Sequence, residues 1–142
     1  MNHLNEDELA DTLAGFTLFG DLSRPQLEAI AHTFEEERFN SGQRILRQGF
    51  SGSGFYVVLE GEAEVKIDGQ QRAKLARGDF FGEVSILLDV PPTADVVALT
   101  PLRCIVLPRT ELQEWLVSLP WVALRMLQSE LRRLAAANKW RN

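Results

Sequence analysis

The chain has 142 residues, a length typical of one domain, and its 45% hydrophobic content is sufficient for a core without disulfides or metal ions. Its 15 basic and 20 acidic residues give a net charge of −5, which disfavours nucleic-acid binding by charge alone. Cys104 is the only cysteine, so an internal disulfide is excluded. The N-terminus lacks the regions of a signal peptide, and no apolar run reaches the length of a membrane span. We therefore predict a soluble cytoplasmic protein without a membrane partner.

Residues 1–38 have the pattern of N-terminal helices. One apolar stripe with spacings of three and four is formed by Leu9, Leu13, Phe16 and Phe19. A second helix is predicted to begin at Ser23, because a serine followed three residues later by Gln26 matches a capping box. The three glutamates at 35–37 are interpreted as the solvated end of that helix.

Residues 39–107 have the pattern of short strands, because glycines recur near turn spacing between apolar segments. Polar and apolar residues alternate strictly over residues 62–67, as expected for a half-buried strand. Asp68-Gly69 follows directly, which predicts a tight hairpin. The sequence therefore predicts a single domain that is mainly β with flanking helices, built around an antiparallel β-barrel or jelly roll.

Residues 108–142 are predicted to form C-terminal helices. Thr110 followed by Gln113 matches a second capping box, and Pro120 begins a long helix. That helix carries a stripe at steps of three and four, formed by Leu124, Leu127, Leu131, Leu134 and Asn138. The stripe either packs on its own barrel or forms a parallel homodimer seam through the 120–138 helix, with Asn138 fixing the register.

The segment from Phe80 to Ala98 interrupts the strand pattern. Gly82 lacks a Cβ atom, so a ligand can approach the backbone closely there. Residues 83–88 are predicted to form a short helix whose free N–H groups favour a phosphate. Pro91-Pro92 would end this helix and return the chain to a strand near Ala94.

Several motifs in this order resemble the cyclic-nucleotide-binding domain family, of which the bacterial catabolite activator protein is a member. They are GQRILRQG at 42–49, FYVVLEGE at 55–62, GDFFGE at 78–83, Leu-Leu at 87–88 and PPTA at 91–94. The flanking helices match as well, so the resemblance covers nearly the whole chain. It implies the fold described above and a ligand pocket inside the β-roll.

The resemblance also implies a role for each matching residue of the pocket. Glu83 would hold the ribose 2′-hydroxyl of a cyclic nucleotide. The phosphate would be lined by the backbone of Gly82, Val84 and Ser85 and by the Ser85 hydroxyl. Thr93 and Ala94 would close the opposite side, beside Pro92.

Pro92 departs from the family pattern, which has an arginine at this position that pairs with the phosphate. Proline has neither charge nor an N–H donor. Loss of a charge-assisted hydrogen bond costs roughly 1.5–3 kcal/mol, or about tenfold to more than a hundredfold in affinity. Asp95 adds negative charge nearby in sequence. Arg72, Arg77 and Arg103 are the candidates to replace the missing arginine.

Each of these residues also has an alternative interpretation in which its role is purely structural. Glu83 can cap the short helix, Gly82 can serve a turn, and Thr93 can close a turn. Cys104 lies in step with apolar neighbours and is predicted to be a core residue. His3 and His32 are far apart in sequence, so no metal site is predicted.

The main functional hypothesis is a non-catalytic regulatory sensor that binds cyclic AMP, cyclic GMP or a related small anion and signals through its C-terminal helix. No catalytic residues and no cofactor are predicted. The alternative is a degenerate domain that serves as a dimerisation or protein-interaction scaffold. A cupin-like enzyme ranks last, because neither histidine lies in the β region. Relatives often carry a DNA-binding helix-turn-helix after the long helix, for which 142 residues leave no room, so no direct nucleic-acid partner is predicted.

Overall fold

A computed structural model describes residues 5–50 and 54–138, with the Asn138 side chain excluded. The N-terminal part contains α1 (Glu6–Ala14), a 3-10 turn (Thr17–Phe19) and α2 (Arg24–Thr33). The β-roll contains β1 (Glu35–Phe39), β2 (Arg44–Leu46), β3 (Gly54–Glu60), β4 (Ala63–Ile67), β5 (Gln70–Leu75), β6 (Phe80–Phe81), helix α3 (Glu83–Leu87), β7 (Asp95–Ala98) and β8 (Leu102–Pro108). The C-terminal part contains a 3-10 turn (Arg109–Glu111), α4 (Leu112–Ser118) and α5 (Pro120–Asn138).

The start of α2 is the predicted capping box. The Gln26 backbone N–H donates to Ser23 Oγ at 3.3 Å, and the Ser23 N–H donates to Gln26 Oε1 at 2.9 Å. Two of the N–H groups that a helix start leaves without partners are thereby satisfied.

The prediction for residues 35–37 was wrong, because these glutamates belong to strand β1 and not to the end of α2. The helix ends at Thr33, and Phe34 turns to an extended conformation with φ −76° and ψ 143° while its ring is buried. β1 then pairs with β8, where Arg103 lies 3.0 Å from Glu36. Tertiary pairing therefore starts the β-roll at Glu35, earlier than the predicted boundary at residue 39.

Eight strands form two antiparallel four-stranded sheets within the described residues. Their orders are β1-β8-β3-β6 and β2-β7-β4-β5. Asp68 and Gly69 link β4 to β5 with φ values of 53° and 79°, the left-handed conformations of the predicted hairpin turn. The predicted mainly β fold with flanking helices is confirmed.

Strand β3 contributes to two apolar clusters, because its alternate side chains point to opposite faces. Phe55, Val57 and Leu59 pack with the helices, whereas Tyr56 and Val58 lie between the two sheets. All five side chains are buried. This explains why the segment reads as a continuous apolar run and not as an alternating one.

Helix α4 begins without the predicted capping box. A 3-10 turn follows Pro108, so the helix begins at Leu112, and its N-cap residue Glu111 makes no side-chain capping bond. The prediction based on Thr110 and Gln113 was therefore wrong. The local sequence pattern did not predict that the chain leaves β8 through a 3-10 turn before α4 begins.

Helix α5 is fixed to the N-terminal part at one side and exposed along another. Val122 and Met126 are buried, and Arg125 Nη2 donates to Asp21 Oδ1 at 3.0 Å. The predicted stripe is 40% to 57% exposed at Leu124, Leu127, Leu131 and Leu134. The stripe is therefore only about half covered by its own domain, and whether it forms a homodimer seam stays a prediction. The Asn138 side chain lies outside the described residues. No helix in the described ranges is long and apolar enough to cross a membrane.

Candidate functional site

A cavity of about 180 Å³ lies between the two sheets at the end where α3 and α5 approach the roll. Leu46, Val65, Leu75 and Val96 form part of its apolar wall. The seven predicted site residues all line it: Gly82, Glu83, Val84, Ser85, Pro92, Thr93 and Ala94. The structure thus brings together residues from both ends of the segment at 82–94, and their contact with a ligand stays a prediction.

Gly82 is required by the protein backbone itself. Its φ is 94°, and a Cβ atom at this position would lie 2.3 Å from the carbonyl oxygen of Gly54 in β3. The close approach that the sequence predicted for a ligand is therefore made by strand β3. Gly82 forms the N-cap of α3, which confirms the predicted short helix to within one residue at its end.

Glu83 is buried inside this site, with 3% of its surface exposed. Glu130 of α5 lies close enough to its carboxyl group to affect its pKa. Burial first, and then the interaction with Glu130 and its negative charge, raise the pKa of Glu83 to about 9. Its protonated form is therefore favoured, and its carboxyl group lies beside α5, whereas the structural interpretation gave it only the role of a cap of the short helix.

Arg133 of α5 reaches the same cavity. Its Nη2 donates to the Phe80 carbonyl oxygen at 3.3 Å, and its guanidinium carbon lies 4.8 Å from the centre of the Phe80 ring. Its Nη1 lies 3.2 Å from Glu130 Oε1 and 3.7 Å from Glu83 Oε2. Its positive charge opposes the upward shift in the Glu83 pKa.

Neither Glu130 nor Arg133 was predicted from the sequence to belong to the site. They are three residues apart on one helix, and this spacing is the only local signal that they interact. Their meeting with Glu83 depends on how α5 packs on the roll.

The three arginines predicted as replacements for the missing one do not line the cavity. Arg77 donates to the Leu59 carbonyl oxygen at 3.1 Å. Arg103 lies between Glu36 and Glu60, at 3.0 and 2.9 Å. Arg72 is exposed on β5. None of the three candidates replaces the missing arginine in the cavity wall, because each side chain lies elsewhere.

Asp95 also lies outside the lining of the cavity. Its Oδ1 accepts a hydrogen bond from the Gln48 backbone N–H at 2.7 Å, and its Oδ2 lies 4.0 Å from Arg44. The carboxylate therefore serves the junction of β2 and β7. The carboxylate of Asp95 does not add to the cavity wall the negative charge that the sequence had suggested.

Ser85 has a buried hydroxyl with no hydrogen-bond partner in the described part of the chain. The residue is 3% exposed and lines the cavity. An unsatisfied buried hydroxyl costs about 1–3 kcal/mol, so the site contains a polar group for which a ligand atom would be a favourable partner.

Cys104 and His32 take no part in this site. Cys104 is fully buried between the sheets, as predicted, and burial raises its pKa to about 12. His32 Nδ1 lies 2.7 Å from Glu6 Oε1 on the surface of the N-terminal helices. His3 lies outside the described residues. No group of metal-binding side chains occurs within the ranges that the structure describes.

A second cavity of about 420 Å³ lies between α3, α4 and α5. Its wall is mostly apolar and includes Leu87, Leu116 and Met126. Glu83 lines both cavities. Glu83 therefore lies where the two cavities meet, and Glu130 lines the second.

The family model described as "Cyclic nucleotide-binding domain" matches residues 36–118. The cAMP-dependent protein kinase regulatory subunit of Eremothecium gossypii is 35% identical over 107 residues, which cover 75% of this chain and 23% of that subunit. The chain thus spans less than a quarter of the length of this relative.

Solved structures agree in fold. The catabolite activator protein of Thermus thermophilus is 28% identical, with a TM-score of 0.75 over 86% of this chain and 60% of that one. The regulatory subunit of a cAMP-independent protein kinase A from Trypanosoma cruzi, bound to guanosine, is 23% identical, with a TM-score of 0.77 over 96% of this chain and 49% of that one. With the family match over more than half of its residues, the chain belongs to the cyclic-nucleotide-binding domain family.

Proposed function

We propose that this regulatory domain is a non-catalytic sensor that binds cyclic AMP or cyclic GMP in the 180 Å³ cavity and reports occupancy through α5. The observation that carries the proposal is the position of Glu83 beside Arg133 and Glu130, because both of these residues belong to α5 and the predicted ribose ligand is thereby next to the C-terminal helix. A cytoplasmic location stays a prediction from the sequence. Any statement about the activity or partners of the whole protein is likewise a proposal.

The cavity has a suitable group for each part of the ligand. The ribose 2′-hydroxyl would bind Glu83, and the cyclic phosphate would lie beside Ser85, whose hydroxyl lacks a partner among the described residues. The apolar wall at Leu46, Val65 and Leu75 would cover the flat faces of the nucleotide. Such a mixture of apolar walls and a few polar groups is typical of small-molecule sites.

Ligand binding would compete with an existing contact. A ribose hydroxyl at Glu83 would displace the interaction of that carboxyl group with Glu130. Because Glu130 lies on α5, the bound and free states would favour different positions of that helix. A ligand shifts such an equilibrium only by its difference in affinity for the two states, and this competition supplies that difference.

Isothermal titration calorimetry with cyclic AMP and cyclic GMP tests the proposal. We expect saturable heat with the wild type and a loss of at least about tenfold in affinity for Glu83→Ala, because one hydrogen bond to the ligand is lost. Glu114→Ala, at an exposed position of α4, is the matched control and should bind as the wild type. Absence of heat and of thermal stabilisation at millimolar ligand would contradict the proposal.

The alternative function is a scaffold that no longer binds a cyclic nucleotide. It is favoured by Pro92, which leaves that position of the cavity without charge. Pro92→Arg separates the two functions. If the cavity is otherwise competent, affinity for cyclic AMP should appear or rise by about tenfold or more. Failure of this variant to bind would favour the scaffold.

We also propose a homodimer through the leucine stripe of α5, because its four leucines are 40% to 57% exposed. Leu131→Glu should shift a dimer to a monomer in analytical ultracentrifugation, since it places a charge within the seam. Ala136→Glu adds the same charge on an exposed position outside the stripe and should leave the dimer intact. A wild type that sediments as a monomer at high concentration would disprove this contact.

A further inference from the structure

A cyclic phosphate carries a negative charge, and the cavity wall has little to neutralise it. The position that holds the family's arginine is occupied by Pro92. Among the described residues, the ionisable side chains that line the cavity are Glu83 and Arg133. Arg133 is therefore the cation that this wall offers to an anionic ligand.

The Arg133 guanidinium has N–H groups that are not used by its hydrogen bonds within the described structure. It carries five N–H groups, and its hydrogen bonds within the described structure go to Glu130 Oε1 at 3.2 Å and to the Phe80 carbonyl oxygen at 3.3 Å. The 3.7 Å separation from Glu83 Oε2 is an ion-pair distance and too long for a good hydrogen bond. The side chain is 41% exposed, so the remaining donors are accessible.

The position of the guanidinium is nonetheless defined. It stacks on the Phe80 ring at 4.8 Å, and the Phe80 carbonyl oxygen fixes its plane. Arginine in such a stacked, planar arrangement is well suited to bind two phosphate oxygens at once. A lysine would supply the charge without this geometry.

A second polar group lines the same cavity. The Ser85 hydroxyl is buried and has no partner among the described residues. Ser85 belongs to α3 and Arg133 to α5, so an anion bound between them would join the two helices. The Ser85 hydroxyl and the Arg133 guanidinium are both hydrogen-bond donors, so the cavity should bind an anion better than a neutral molecule of similar shape.

We propose that Arg133 is the anion-binding residue of this cavity, so that the charge supplied elsewhere in the family by the β-roll comes here from helix α5. The inference rests on the proposed function and specifies its ligand as a phosphate-bearing nucleotide. Binding would draw Arg133 away from Glu130 and toward the phosphate. A neutral nucleoside would fill the cavity without engaging α5 in this way.

Calorimetric titrations of the wild type and Arg133→Gln with two ligand pairs test this: cyclic AMP against adenosine, and cyclic GMP against guanosine. For at least one pair, we expect the wild type to prefer the phosphate-bearing member by about tenfold or more. Arg133→Gln should lose about ten- to a hundredfold in affinity for that nucleotide while its affinity for the nucleoside is unchanged. Arg132→Gln, at the adjacent exposed position, should behave as the wild type.

Arg133→Lys provides a partial rescue, because it restores the charge without the planar stacking, and its affinity should lie between those of the wild type and Arg133→Gln. If Arg133→Gln binds the nucleotide as the wild type does, or if the wild type binds nucleoside and nucleotide equally, this inference is overturned while the proposed cavity stands. If the wild type binds none of the four ligands, the proposed function itself fails, and the inference fails with it.

Discussion

Replacing Glu83 with glutamine should make the protein more stable at neutral and alkaline pH. The folded state holds a proton on Glu83 up to a pKa of about 9, against a usual value of 4.5. Below pH 4.5 the carboxyl is protonated in both the folded and the unfolded chain, and no difference arises. Between the two values only the unfolded chain releases the proton, so the free energy of unfolding falls as pH rises, by up to about 1 kcal/mol per pH unit.

Glutamine has nearly the same shape, can donate a hydrogen bond as the protonated acid can, and does not titrate. We therefore expect wild type and Glu83→Gln to have similar stability at pH 5. By pH 8 the variant should be more stable by about 3 kcal/mol, because the loss in the wild type accumulates over each pH unit between the two conditions.

Urea denaturation of both proteins at pH 5, 6, 7 and 8 measures this difference. Subtracting the two curves removes the contributions of all groups that titrate alike in both proteins. Glu114→Gln, which neutralises an exposed carboxylate of α4, is the matched control and should show no growing difference. If the difference between wild type and Glu83→Gln does not increase with pH, the buried proton between α3 and α5 does not exist.

Three further substitutions or reactions test the fold. Gly82→Ala should lower the free energy of unfolding by about 2 kcal/mol or more, because the new Cβ atom meets the Gly54 carbonyl oxygen and φ is positive. Gly69 also has a positive φ but open space around it, so Gly69→Ala should lower the free energy of unfolding by less in the same denaturation assay. Ser23→Ala should cost about 1 kcal/mol through loss of the capping box, and an unchanged urea midpoint would show that the cap is unimportant. Cys104 should be inert to a thiol reagent in the native protein and react on unfolding, since it is buried and its pKa is raised to about 12; rapid native labelling would contradict that burial.

Features set by a few neighbouring residues could be predicted from the sequence. The Ser23 cap, the Asp68-Gly69 hairpin and the helix after Gly82 each depend on local backbone chemistry. The seven predicted site residues fall within one short segment, so correct placement of α3 and β7 was enough to bring them around one cavity.

Features set by tertiary contacts could not be predicted in the same way. The local pattern of Glu35–Glu37 predicts a solvated helix end, yet the three residues pair with β8 in a sheet, where Glu36 also forms an ion pair with Arg103. Glu130 and Arg133 read as ordinary surface charges of a long helix. Their role depends on the angle at which α5 crosses the end of the roll, and no local pattern encodes that angle.

The sharing of strand β3 between two apolar clusters has a consequence for unfolding. Phe55, Val57 and Leu59 face the helices, and Tyr56 and Val58 face the opposite sheet, so loss of either cluster would expose one side of the same strand to water. Exposing that many large side chains costs several kcal/mol at about 1.5–3 kcal/mol for each. We therefore expect the helical layer and the roll to unfold together, in a single transition with heat or denaturant.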